Sequence, residues 1–134
     1  MPTVSVVVPI YNGERYLKEA LDSVFAQTFR DFEVLCINNG STDRTASIIE
    51  EYGRQVRMIT LANVGPCGAR NIGVREATAP YVAFLDHDDR WYPHKLDRQV
   101  AAIEAAPDAV LVLCNSDRMD ADGRIRRYTA ADDG

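Results

Sequence analysis

The chain has 134 residues, a net charge of −5, 46% apolar and 26% charged residues, and three cysteines. That length and composition suit one globular domain with a real core. The acidic balance, with no basic stripe, excludes a nucleic-acid binder, and no apolar run reaches the ~18–20 residues a membrane-spanning helix needs. No basic region followed by a long apolar stretch opens the chain, so no secretory signal is visible. Cys36, Cys67 and Cys114 are widely spaced and form no CxxC, which implies a reduced, cytosolic setting. Cys36 and Cys114 lie in apolar runs and read as inert core thiols; Cys67 reads as a packing residue.

Thr3 to Pro9 is β-branched and nearly continuous, the pattern of a strand buried on both faces, and Pro9 is expected to end its ladder for want of an N–H. Ile10-Tyr11-Asn12-Gly13 is a loop. Tyr16, Leu17, Ala20, Leu21, Val24 and Phe25 then recur at helical spacing and predict a helix over 14–27. Phe32 to Ile37 is a second strand, breaking into the turn Asn38-Asn39-Gly40-Ser41-Thr42-Asp43, where Ser41 or Thr42 can cap a helix running to about Tyr52. Val56 to Leu61 predicts a third strand and Ala69 to Ala77 a short helix.

Tyr81-Val82-Ala83-Phe84-Leu85 is a fourth strand, followed at once by Asp86-His87-Asp88-Asp89. Three carboxylates within four positions repel one another, which raises a pKa unless a cation intervenes. Hard cations such as Mg2+ and Mn2+ prefer carboxylate oxygens and bridge them to phosphates. Taken alone, the same residues also fit a solvated acidic turn. A helix follows from about His94 to Ala106 and is ended by Pro107. Ala109 to Cys114 predicts a fifth strand. Asp120-Ala121-Asp122-Gly123 is a hairpin turn with Ile125 to Tyr128 as its return, and residues 130–134 form a patternless tail behind a domain of residues 1–129.

Four alternations of strand and helix imply an α/β fold: a mainly parallel sheet with right-handed crossovers and helices on both faces. Ligands of such sheets bind beyond the C-terminal strand ends. The loops at 9–12, 38–43 and 86–89 all fall there, so three polar loops on one edge point to a site more strongly than any one of them.

With those loops in view, the sequence resembles the glycosyltransferases of family 2. The resemblance rests on Val4-Ser5-Val6-Val7-Val8-Pro9-Ile10-Tyr11-Asn12 with Ala20-Leu21-Asp22-Ser23-Val24 and Gln27-Thr28, on Asn38-Asn39-Gly40-Ser41-Thr42-Asp43, and on Gly65 with Ala69-Arg70-Asn71 through Phe84-Leu85-Asp86-His87-Asp88-Asp89. It implies a Rossmann-like GT-A three-layer sandwich, here truncated, that transfers a sugar with inversion from a nucleotide-diphosphate donor, a UDP-sugar in the first instance. Pro9 and Tyr11 would pack on the nucleoside, with the Tyr11 ring on the base. Asn39 stands where relatives commonly have an Asp that accepts a hydrogen bond from the base; Asn can accept too, but it also donates. Arg70 would meet the nucleotide or diphosphate; an ion pair with Glu76 or the Asp cluster is the alternative. Asp86 would reach the ribose or the metal, Asp88 would be the main ligand of Mn2+ or Mg2+, and Asp89 would support it. His87 reads as a spacer, and Thr42 and Asp43 as helix capping.

An inverting transfer also needs a general base. No residue matches the family's base motif: Asp120, Asp122, Asp132 and Asp133 sit in turn and tail settings. The base is expected beyond residue 134, and the chain reads as the donor-binding portion of a longer enzyme. A glycan or lipid-linked acceptor, polysaccharide biosynthesis, and a cytoplasmic location, in relatives often at the membrane's cytoplasmic face, are implied by the family alone; nothing in these residues supports membrane association. A non-catalytic nucleotide-binding or interaction module on the same scaffold is the alternative. A phospho-acceptor receiver lacks its acid pair after the first strand, and a dinucleotide-binding domain its GxGxxG.

Overall fold

A computed structural model describes residues 1–126, which fall into two compact units, residues 1–97 and the segment that begins at Arg98. The first unit holds β1 (Val4–Ile10), α1 (Leu17–Phe25), β2 (Phe32–Asn39), α2 (Thr45–Glu50), a 3-10 turn (Gly53–Gln55), β3 (Arg57–Leu61), α3 (Gly65–Glu76) and β4 (Tyr81–Phe84). The four strands form one parallel sheet in the order β3-β2-β1-β4. The expected α/β, Rossmann-like arrangement is therefore present. The two central strands carry the continuous apolar runs: Val6, Val7, Val8, Leu35, Cys36 and Ile37 are fully buried. Successive residues point to opposite faces of a sheet, so burial of Val6, Val7 and Val8 alike means both faces are covered. Val7, Leu35 and Ile37 meet Ala69 of α3 in one cluster, and α1 buries Leu17, Ala20, Leu21 and Val24. Gly73 lets α3 cross β1 closely, since a Cβ there would drive into the Val7 side chain. Burial pushes the Cys36 thiol up to about 12, as befits an inert core cysteine.

Several predicted boundaries move, each for a local reason. Pro9 does not end β1; it sits in register with Ile37. Thr3 and Val7 offer their carbonyls toward β4, to Tyr81 and Leu85. Residue 9 faces the same side, where the β4 ladder has stopped, so its missing N–H costs no ladder bond. Asn38 and Asn39 are strand residues, not a turn, paired with Thr60 and Leu61 and 4% exposed. α1 starts three residues later than predicted, because residues 14–16 form a turn closed by Tyr16 and Leu17 N–H groups on the Gly13 carbonyl. α3 starts four residues earlier, with Pro66 in its first turn, where a missing N–H is harmless.

α4 (Lys95–Glu104) contains the boundary between the units. Beyond it, β5 (Arg118–Met119) and β6 (Ile125–Arg126) make a short antiparallel hairpin around the predicted turn, with Asp120 Oδ1 accepting the N–H groups of Asp122 and Arg124. The predicted fifth strand over 109–114 is absent. Val110, Leu111 and Leu113 are 96%, 68% and 82% exposed, and Cys114 is exposed with them, not a core thiol. β-propensity describes fit to a paired, half-buried surface, and this run has no strand beside it among the described residues. Cys67 is likewise exposed. The rest of the predicted return strand and the tail 130–134 lie outside the described residues.

Candidate functional site

The carboxyl ends of β1, β2 and β4 open onto one cleft, as a parallel sheet dictates. Its first wall is the Ile10–Gly13 turn. Asn12 adopts a left-handed conformation (φ 50°), which Asn tolerates better than most residues. Its Oδ1 accepts the Thr42 N–H at 2.8 Å, and its own N–H donates to Ser41 Oγ at 3.0 Å. Gly13 N–H donates to Thr45 Oγ1 at 2.9 Å, and Glu14 N–H to Asp43 Oδ2 at 3.1 Å. Three consecutive backbone N–H groups are thus held by side chains of the 41–45 segment. Asp43 also takes, at 2.9 Å, the N–H of Thr45, the first residue of α2. Burial works to raise the Asp43 pKa, but these hydrogen bonds outweigh it and hold the carboxyl below the usual aspartate value. Asp43 does not occupy the cap position of α2, which is Arg44 with no side-chain cap bond; it stands one residue earlier, holds the Thr45 N–H and latches the first loop. Thr42 does not cap; it serves Asn12.

Asn39, at the end of β2, spends its amide on the segment leaving β3. Its Oδ1 accepts the Val64 N–H at 3.0 Å and its Nδ2 donates to the Gly65 carbonyl at 3.2 Å. This fixes Asn63, whose Oδ1 accepts the Gly65 N–H at 3.0 Å.

The acidic loop follows β4. Leu85 is buried and bonded to the Val7 carbonyl, and the Asp89 N–H closes a turn on the Asp86 carbonyl. Asp86, Asp88 and Asp89 each offer an oxygen within 4.8 Å of the others. Burial first, then the charges of Asp88 and Asp86, hold the Asp89 carboxyl above the ordinary aspartate value, with His87 opposing. The Arg70 guanidinium reaches from α3 to Asp86 Oδ1 at 3.0 Å, while Glu76, the other partner considered for Arg70, is paired with Arg57. A crowded set of hard oxygen donors, short of positive charge, fits a hard divalent cation. Beyond the loop the chain is pinned to the end of α1: buried Gln27 donates to the Tyr92 carbonyl at 2.7 Å and accepts the Leu96 N–H at 3.0 Å, and Thr28 N–H donates to the Pro93 carbonyl at 2.9 Å.

The cleft, about 290 Å³, is lined by Pro9, Ile10, Tyr11, Asn39, Asn63, Pro66, Ala69, Arg70, Asp86, His87 and Asp88. Six of the seven predicted site residues share it, and Asp89 stands beside it in the carboxylate cluster. Tyr11 is half-exposed and lines the cleft. Sequence reasoning missed Asn63, Gln27 and the Ser41–Thr45 latch. Short polar side chains in excess of what one helix cap can use were the available signal for the latch.

The profile of Glycosyl transferase family 2 matches residues 5–131. An uncharacterized glycosyltransferase of Rickettsia typhi is 35% identical over 120 residues, covering 89% of this chain and 38% of that protein. One from Nostoc sp. is 41% identical over 121 residues, covering 87% and 37%. Among solved structures, S. aureus TarS 1-349 in complex with UDP-GlcNAc is similar with a TM-score of 0.72 and 34% identity over 77% of this chain and 31% of that one. The mannosyltransferase PcManGT from Pyrobaculum calidifontis, in complex with GDP-Man and Mn2+, matches at TM-score 0.72 and 27% identity over 76% and 32%. The chain thus spans about two fifths or less of the length of these relatives. The matched profile, the relatives and the GT-A fold agree: the chain belongs to glycosyltransferase family 2.

Proposed function

We propose that this chain carries the donor site of a sugar-transferring enzyme, binding a nucleotide-diphosphate sugar, a UDP-sugar in the first instance, for inverting transfer to a glycan or lipid-linked acceptor. The observation that carries the reading is the convergence, at one sheet edge, of an available aromatic ring, a guanidinium and a carboxylate cluster. Tyr11 offers a face to the base over the Pro9 turn. Asn39 Oδ1 keeps one lone pair beyond its bond to Val64 and can accept from a uracil imide. Arg70 presents a permanently charged fork suited to phosphate oxygens. Asp88 and Asp86 would hold Mn2+ or Mg2+, with Asp89 in support. Such an ion supplies neutralisation of the charge that develops on a departing diphosphate. The relatives solved with UDP-GlcNAc and with GDP-Man and Mn2+ support a donor of this class.

Calorimetric titration of UDP and then GDP, each with Mn2+ and again with EDTA, tests the reading. Binding of one nucleotide that depends on Mn2+ is expected. A folded chain that binds neither nucleotide in Mn2+ contradicts it.

A further inference from the structure

His87 sits between the carboxylates, half-buried at the wall of the cleft. Its Nδ1 is buried and has no hydrogen-bond partner among the described residues, an arrangement that native structures rarely tolerate without a reason. The ring rests on Gly13: a Cβ built at that glycine would lie 3.1 Å from His87 Nδ1 and 3.2 Å from its Cγ, and 2.8 Å from Ile10 Cγ2. The imidazole therefore occupies space that any side chain at position 13 would claim. Gly13 is itself firmly held, its N–H on Thr45 Oγ1 and its carbonyl under the Leu17 N–H.

The cluster of oxygens at ligand distance comprises Asp86, Asp88 and Asp89 and not the imidazole. Between buried Leu85 and the Asp86–Asp89 turn, the seat on Gly13 brings this loop against the first one. Ligand carboxylates depend on neighbours that fix their orientation. We infer that His87 is a positioning residue: its ring, wedged against Gly13, orients Asp86 and Asp88 by packing and ligates nothing. This rests on the donor-site reading for the metal, but the packing itself does not.

The test uses the whole chain with His87→Ala, His87→Phe and Gly13→Ala, reading amide hydrogen exchange over 86–90, Mn2+ affinity by electron paramagnetic resonance, and the melting temperature. His87→Ala should speed exchange over 86–90 about tenfold and weaken Mn2+ binding about fivefold, with exchange in β1 and β2 unchanged. His87→Phe should stay within about twofold of the unsubstituted chain in both, because a ring of similar size keeps the seat and Nδ1 makes no bond to lose. Gly13→Ala should behave like His87→Ala; where it fails to fold, the His87 pair decides. Unchanged exchange in His87→Ala overturns the inference. So does a His87→Phe variant that fails as His87→Ala does, for then the nitrogens matter. If the unsubstituted chain binds no Mn2+, the metal reading falls while exchange still decides the packing.

Discussion

The sheet has a cavity at each end, and the two differ in how their polar groups are committed. Where β2 and β3 begin, a cavity of about 430 Å³ is lined by Phe25, Phe32, Glu33 and three arginines. Arg30 donates to the Phe25 and Gln27 carbonyls, and Arg57 is paired with Glu76. Glu33 accepts from Ser5 and Thr78; burial works to raise its pKa, but those bonds and the Arg57 charge hold it below the usual value. The Arg54 and Gln55 side chains are left without a partner among the described residues. At the other end the cleft is smaller, yet the side chains of Asp88 and of Asp89 beside it have no hydrogen bond or ion pair among the described residues, and Arg70 is paired there with Asp86. The unpaired carboxylates thus stand at the smaller cavity and not at the larger one.

A pair of substitutions, one at each end of the sheet, separates the two cavities most strongly. Asp88→Ala should lower Mn2+-dependent nucleotide affinity by about a hundredfold, with the melting temperature unchanged or raised because the crowding on Asp89 is eased. Arg54→Ala should leave affinity within about twofold. Calorimetry that shows the opposite pattern would move the site to the larger cavity.

Arg70→Gln should weaken UDP binding roughly 10- to 100-fold, the worth of charge-assisted hydrogen bonds. Mn2+ alone, titrated without nucleotide, should bind more tightly, because Asp86 has lost its resident cation. Equal losses in both titrations would mean that Arg70 only organises the loop. Tyr11→Ala should cost about tenfold in affinity for uridine as well as for UDP, as loss of a stacking face does. An effect confined to UDP would place the ring at the diphosphate.

The smallest effect concerns the latch. The folded pKa of Asp43 lies below its ordinary 3.8. Its carboxylate therefore contributes stability that is fully present above the unfolded value and lost as pH falls through the folded one. Melting curves at pH 7, 4 and 3 should show Asp43→Asn less stable at pH 7 and less sensitive to acid than the unsubstituted chain. Parallel curves would remove Asp43 from the latch.

The order of strands and helices was legible because periodicity reports burial: Val6, Val7 and Val8 are apolar in a row since both faces of the central strand are covered. The edge that carries the candidate site was legible for the same reason, since the polar loops follow buried strands. Partners were not. Asn39 reads as a turn residue until its amide is seen holding Val64 and Gly65, and Gln27 reads as the end of a helix until it is found buried against Tyr92 and Leu96. Those bonds join residues 25 to 69 positions apart, where local pattern carries no information. Val110 to Leu113 shows the converse: strong strand propensity with no neighbouring strand among the described residues stays unpaired.

The most direct measurement is paramagnetic broadening by Mn2+ in the amide spectrum of the chain, with UDP present. The account predicts loss of signal centred on Asp86 to Asp89 and reaching Tyr11 and Arg70, while Arg30, Arg54 and Arg57 stay sharp. Broadening centred on the arginine-lined cavity, or spread evenly over the surface, would contradict it.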